Sequence, residues 1–539
     1  MNYKQSLYKE TNKLIAFCSN FIVYFLLILF GFLSISGLFL TSYFENYSEV
    51  MLYKGNNLIL SVIFLISFLG ILVYSQKNIF HKINTNILIN LLITYSFLFG
   101  VTWIFMVNSH PYADQAEVNA KAQAFIHSDY SSLDTGGYMF IYPFQLGITF
   151  LFETIYRIIG EGSYQYLQML NVICTIISFY ILILISKMMF KNKNHTIITI
   201  ILLFGCLPPL FFSIYVYGNL IGLMFSLLAT LFLLKYLKTR KLLMTVPIFF
   251  FMWCSLVVKS NYKIVLIAFC IILLLDCIKF KKLLSLVLLL LLLLLQFTAL
   301  KPIFNYYEHQ SGKNINEGMP SSVWVAMGMM EGIRAPGWYN EWAWHTYADA
   351  NYNYEITSDI AKHSIKESLS NFKSNPQYAI KFYYKKIVSQ WLEPTYESIW
   401  VSHDGNQHDK PLSKITQSVY DGKLNLLLLY FMKSYQLILY FGIFLFCLLH
   451  ARKIEFYKLT LALVVMGGFL FHIIWEGNSR FILPYFVIMV PYSAAGFGIL
   501  SEKILQALNH NKYTNTKIYL INETTGEHTK IDRINDTST

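Results

Sequence analysis

Apolar stretches of roughly 18 or more residues recur along nearly the whole chain, and this constrains its fold more than any other feature. An apolar helix of about 20 residues crosses the bilayer hydrocarbon while satisfying its own backbone hydrogen bonds, so each stretch reads as a spanning helix. The clearest candidates are 14–40, 57–75, 87–107, 164–188, 195–214, 219–236, 242–258, 262–278, 283–300, 430–449, 457–475 and 481–500. They predict an all-α polytopic membrane protein with about twelve transmembrane helices. Composition agrees: 55% of residues are hydrophobic and 13% charged, whereas a soluble domain carries charge on about a quarter of its residues.

The net charge of +12 does not indicate a nucleic-acid partner, because most Lys and Arg lie in short clusters between apolar runs, where they set topology. The first run, 14–40, is too long for a signal-peptide core and reads as a retained helix. The seven cysteines all fall in apolar stretches, which argues against a disulfide framework.

The stretch 138–160 (YMFIYPFQLGITFLFETIYRIIG) is apolar enough to span but holds Pro143, Gln145, Glu153 and Arg157. If it lies flat on the outer face, the clusters Lys187/Lys191/Lys193, Lys235/Lys238/Arg240/Lys241, Lys279/Lys281/Lys282 and Arg452/Lys453 all become cytoplasmic. Lys77 and Lys82, with Lys4, Lys9 and Lys13, join them. If it spans, the four later clusters move outside, so the surface-lying placement is the expected one.

The resulting organisation is two N-terminal helices over 1–80, a transmembrane core over 81–300 with a first outer loop at 108–163, and a large outer loop subdomain at 301–425. C-terminal helices over 426–500 and a polar cytoplasmic tail over 501–539 follow. Both termini are cytoplasmic in this scheme. Within the large loop, 356–370 and 376–390 read as helices.

The polar chemistry then collects in the outer loops. Asp114 opens the first, in His110-Pro111-Tyr112-Ala113-Asp114-Gln115-Ala116-Glu117. An acid there serves as a general base or a metal ligand; it serves equally as the N-cap of a helix over about 115–127. Tyr142-Pro143 marks the surface segment. Six of the nine tryptophans lie in the second loop, three of them (Trp338, Trp342, Trp344) within seven residues. Such faces suit sugar rings and isoprenoid chains, or form an interfacial belt and a subdomain core. Arg480, in Trp475-Glu476-Gly477-Asn478-Ser479-Arg480-Phe481, and Lys259 and Lys263, flanking Ser260-Asn261-Tyr262, would sit at the outer interface. There they grip a lipid phosphate or snorkel to headgroups. His403 and His408 read as parts of a solvated turn. No P-loop, GxSxG, HExxH or dinucleotide fingerprint is present.

The order of these features resembles the GT-C superfamily of polyprenyl-phosphate-sugar glycosyltransferases. The similarity is to bacterial relatives of protein O-mannosyltransferases and of the aminoarabinose transferase of lipid A. It covers roughly 87–500 and rests on an acid early in the first outer loop, a Pro-containing juxtamembrane helix, a large outer loop and Ser479-Arg480-Phe481-Ile482-Leu483-Pro484. The resemblance implies a catalytic role for Asp114, with Glu117 beside it, and a donor-binding role for Arg480. Tyr142-Pro143 stands where relatives often carry Lys-Pro or His-Pro-Pro, a departure from the pattern. The implied reaction is inverting sugar transfer from a polyprenyl-phosphate donor to an envelope glycan, lipid or protein hydroxyl on the extracytoplasmic face of the cell membrane. No cofactor is required by this reading, and a divalent metal is compatible with it.

Two other classes fit the same spans. A flippase or transporter of a lipid-linked saccharide would place ionisable groups near the bilayer midplane, where this chain has few. An outer-face polysaccharide polymerase or ligase would draw on Arg and His pairs in the large loop.

Overall fold

The computed structural model describes residues 3–44, 48–162, 164–405, 412–450, 454–514, 519–521 and 528–530. Arg452/Lys453, His408 and most of the tail beyond 514 lie outside the described residues. The chain is mainly helical with almost no sheet. Eight helices are long and apolar enough to cross a membrane: Asn12–Phe39, Leu58–Asn78, Thr85–Val107, Tyr164–Phe190, Asn219–Thr239, Leu283–Ser311, Lys423–Leu449 and Phe456–Ile474. Two bent pairs bring the number to ten among the described residues, against about twelve expected.

The difference has physical causes. The expected span 195–214 is broken by 45° between Lys193–Gly205 and Pro208–Ile214, where consecutive prolines remove two backbone donors. The last expected span bends by 49° between Ser479–Ile488 and Val490–Asn509, with Pro491 in the first turn after the break. Over 242–258 there is a short apolar helix, and Lys263–Phe280 carries Lys263, Asp276 and Lys279 within 18 residues. Asp276 is not a stray charge. Arg240 donates to both its oxygens, at 2.5 and 2.6 Å, and the Ser285 hydroxyl donates at 2.7 Å, so the buried carboxylate clamps three helices together.

Segment 138–160 is not one helix. It runs as Tyr138–Ile141, a 3-10 turn at Pro143–Gln145, then Leu146–Ile159. Its polar residues are accounted for: Glu153 is buried, paired with Arg157 at 2.7 Å, and accepts from the Tyr307 hydroxyl at 2.6 Å. Gly147 lets this helix press on the short apolar one, because a Cβ there would fall inside the Val257 carbonyl.

In the large loop the two expected helices form as Tyr354–Ser374 and Pro376–Trp391. Asn353 caps the first through Ile356 N–H (3.0 Å), and Asn375 the second through Tyr378 N–H (3.1 Å). The sequence did not announce a β-hairpin, Leu40–Phe44 paired with Met51–Gly55, between the first two helices. It docks on the large loop: Ser42 N–H and the Thr41 hydroxyl donate to Leu392 O, both at 3.1 Å, and Met51 N–H donates to Arg334 O at 2.9 Å.

Candidate active site

Asp114 is not a helix cap. The helix Ala113–Ile126 starts before it and has no side-chain cap, so Asp114 occupies the first turn, where the helix dipole favours a carboxylate. Ala113, just before it, is held at φ 49, a conformation that costs a non-glycine residue energy and is common at functional sites. The Asp114 carboxylate accepts from the Tyr138 hydroxyl at 3.3 Å, and that hydroxyl lies 3.4 Å from the Tyr217 hydroxyl. Gln145 donates to Tyr217 in turn.

Tyr217 belongs to an irregular segment, 215–218, placed between the broken helix and Asn219–Thr239. Free backbone groups inside a protein need partners. Asn171 Nδ2 donates to Ser213 O and Tyr215 O, both at 3.0 Å, and Gln168 Nε2 donates to Ile214 O at 3.2 Å. Val216 N–H donates to Gln115 Oε1 at 3.1 Å. Three side chains thus fix this turn, two of them about one helix turn apart on Tyr164–Phe190.

The turn seats both cations. Lys259 Nζ donates to Tyr217 O at 3.0 Å and lies 3.9 Å from the centre of the Tyr217 ring. The Arg480 guanidinium stands 5.5 Å from the Tyr215 ring centre and 3.3 Å from a Glu397 oxygen. Asn219 Nδ2 reaches Arg480 O at 3.4 Å, and Asn478 accepts from Arg480 N–H at 2.9 Å. Asp114 lies within electrostatic reach of Lys259, Glu476 and Arg480. Residues from four distant parts of the sequence therefore share one polar centre.

Burial sets the protonation of this centre. Lys259 is pushed down to about 7 by burial and by the Arg480 charge, against the pull of Asp114 and Glu476. Glu476 is pushed up to about 7, again by burial first, with Arg480 opposing. Burial also raises Glu397. The Tyr138 and Tyr217 hydroxyls are driven well above their ordinary value by burial, so they act as hydrogen-bond donors.

Glu397, Glu393, Glu476, Glu49 and Arg334 are the residues that sequence reasoning missed. Tyr396 and Glu397 both have positive φ (50 and 62), in the strained segment that follows Pro394. Glu393 holds that segment, accepting from Glu397 N–H (2.9 Å), Thr395 N–H (2.8 Å) and the Ser479 hydroxyl (3.0 Å). Ser479 adjoins Arg480, so one carboxylate registers the strained loop against the arginine turn. Glu49, from the N-terminal hairpin, pairs with Arg334 at 2.8 Å. The Glu-Pro-x-x-Glu spacing of Glu393 to Glu397, between Trp391 and Trp400, was the available signal, though it has no recognised chemical pattern.

The expected site residues separate into two groups. Asp114, Arg480, Lys259 and Tyr142 meet; Tyr142 continues an aromatic wall from Tyr138 (5.1 Å) through Phe144 to Trp324, which stacks on Trp475. Trp338 is fully buried, donates to Ser389 at 2.8 Å and lies beside Gly477, whose N–H donates to Gly337 O. It supports the Arg480 turn and presents no open face. Trp342 packs with Tyr142, Tyr339 and Trp324 around a subdomain core. Trp344 is 40% exposed, its ring edge-on to His345. Glu117 pairs with Lys121 one turn along its helix, and Lys263 is exposed. Neither joins the centre.

Beside Lys259 a narrow crevice with only about 30 Å³ of free space runs between helices, bounded by Asn219, Leu223, Leu227, Val265, Val464 and Ile488. From Asn219 to Thr230 it follows three turns of helix, about 16 Å. Among the described residues no three His, Cys, Asp or Glu side chains converge as a metal site. No protein-family model matches this chain, and no curated protein does.

Proposed function

We propose that this protein is a membrane glycosyltransferase that moves a sugar from a polyprenyl-phosphate donor to an envelope hydroxyl on the outer face of the cell membrane. The supporting observation is that one acid and two cations, Asp114, Lys259 and Arg480, share a buried centre at the head of an apolar crevice. A phosphate tethered to a long apolar chain needs that combination: cations where the charge sits, hydrocarbon surface where the chain runs. In the same proposal the chain crosses the membrane about twelve times, both termini are cytoplasmic and the centre faces outward.

The chemistry assigns each group a task. Asp114 accepts or orients the proton of the acceptor hydroxyl, which attacks the anomeric carbon. The bond from that carbon to the phosphate oxygen breaks, and the negative charge left on the phosphate is met by Arg480 and Lys259. Glu397 holds the guanidinium in place before the donor arrives. The wall formed by Tyr138, Tyr142, Trp324 and Trp475 offers ring faces to the sugar. Since Asp114 attacks nothing itself, a single displacement and inversion follow.

The test is transfer from a synthetic polyprenyl-phosphate sugar by the protein in nanodiscs. Asp114→Asn is expected to lose at least about 100-fold in turnover, within the range for a general base, while donor binding stays within about threefold of wild type. Unchanged turnover in Asp114→Asn would leave the acid as a structural group, and absence of transfer by the wild-type protein would return the lipid-saccharide transporter as the better reading.

A further inference from the structure

A second and larger cleft lies beside the strained segment. It encloses about 1830 Å³ including its open mouth. The N-terminal hairpin forms one wall, 393–400 a second, and the outer end of Lys423–His450 a third. No group assigned above to sugar transfer is needed to build its rim.

Its lining carries three lysines against two carboxylates. Lys54, Lys423 and Lys433 line it, and none is ion-paired with a carboxylate among the described residues. The two acids on its wall are already engaged: Gln417 donates to Asp421 at 2.7 Å, and Glu393 accepts from Thr395, Glu397 and Ser479. Lys433 begins ten residues into its helix, yet its ammonium is drawn back toward the outer end. It donates to Asn56 at 3.1 Å and sits 4.7 Å from the Tyr430 ring centre. Asn56 lies two residues before the helix Leu58–Asn78, so this ammonium stands at the level where that helix begins.

The surface below those charges is apolar. Lys423, Leu426, Tyr430 and Lys433 follow one face of the helix at spacings of three and four residues. Leu426 and Tyr430 are more than half exposed there. Phe44 and Trp400 stack at 5.7 Å on the opposite wall.

We propose that this cleft binds the phosphate-bearing headgroup of an anionic outer-leaflet lipid, with Lys54, Lys423 and Lys433 around the phosphate and the chains along Leu426 and Tyr430. Each lysine at a membrane surface contributes about 1 kcal/mol toward anionic lipid, about fivefold in affinity.

The test uses the full chain in nanodiscs of phosphatidylcholine with a minor fraction of phosphatidylglycerol, followed by native mass spectrometry of retained lipid. Preferential retention of phosphatidylglycerol is expected, reduced about fivefold by each of Lys54→Gln, Lys423→Gln and Lys433→Gln. Lys366→Gln, on an exposed helix of the large loop, serves as the control and keeps wild-type retention. Lys54 lies on the exposed hairpin, so its variant carries the test if Lys433→Gln fails to fold. Equal retention of the two lipids overturns the proposal, as does wild-type retention in the triple variant. Displacement by soluble glycerol phosphate at the lipid's own affinity would overturn the lipid assignment and leave a site for a free phosphate ester.

Discussion

Donor binding should take up a proton at neutral pH, because Lys259 is held at about 7 before any anion arrives. An anion about 4 Å from its ammonium, at an effective dielectric constant of about 20, favours the charged form by about 4 kcal/mol. At about 1.4 kcal/mol per pH unit that raises the bound value by about three, to about 10. The sign follows. Well below pH 7 the lysine is charged with or without ligand, and affinity is flat. Between about 7 and 10 the free protein holds a neutral amine that must be protonated on binding, so affinity falls about tenfold per pH unit. Glu476, also at about 7, ionises over the same interval and adds a negative charge, which steepens the fall. The perturbation is Lys259→Arg, which stays charged throughout. A polyprenyl phosphodiester is the right ligand, since its single charge is constant over this range. Calorimetry in two buffers of different ionisation enthalpy would report about half a proton taken up by Lys259 at pH 7, and Lys259→Arg would lose that part. Affinity constant within about twofold from pH 6 to 9 would refute the assignment of Lys259 to the phosphate, since about a hundredfold change is required.

Other consequences follow from the same geometry. Arg480→Lys keeps the charge but loses the planar fork, and should weaken phosphodiester binding by about 10-fold or more with melting temperature little changed. Trp338→Ala removes a fully buried indole beside the arginine turn and should cost about 3–5 kcal/mol of stability in denaturant titration. Trp344→Ala, at an exposed site, should stay within about 0.5 kcal/mol of wild type in the same titration and transfer sugar normally. Gly147→Ala forces a methyl group into the Val257 carbonyl; folded yield after detergent extraction should fall sharply, while Gly70→Ala, with open space around it, should not change it.

The helices were legible because an apolar run of spanning length has few other uses. Their continuity was not: hydropathy averages across Pro208-Pro209 and across Pro491, whereas the backbone breaks there. The hairpin Leu40–Phe44/Met51–Gly55 was illegible for the opposite reason. Its residues alternate weakly, and it is held by bonds to Leu392 and Arg334, some 300 residues away. At the site, residue type and position next to the end of an apolar helix brought out Asp114, Lys259 and Arg480. Lys263 shares those signals but is exposed at the start of one helix, whereas Lys259, extended at the end of the helix before it, turns inward. The tryptophan cluster was misleading in detail. Density of indoles marks where a subdomain packs, and the rings along the centre, Trp324 and Trp475, come from different parts of the chain. Glu397 has only the Glu-Pro-x-x-Glu spacing to mark it, because its importance arises from burial against Arg480.

The account rests on Asp114 acting in sugar transfer, and one comparison addresses that directly. Envelope glycans would be analysed from cells carrying wild-type protein, no protein, or Asp114→Asn at matched membrane levels. Loss of the same sugar decoration from both defective strains is the expected result, and the missing sugar would identify the donor. Full decoration by Asp114→Asn would contradict the account.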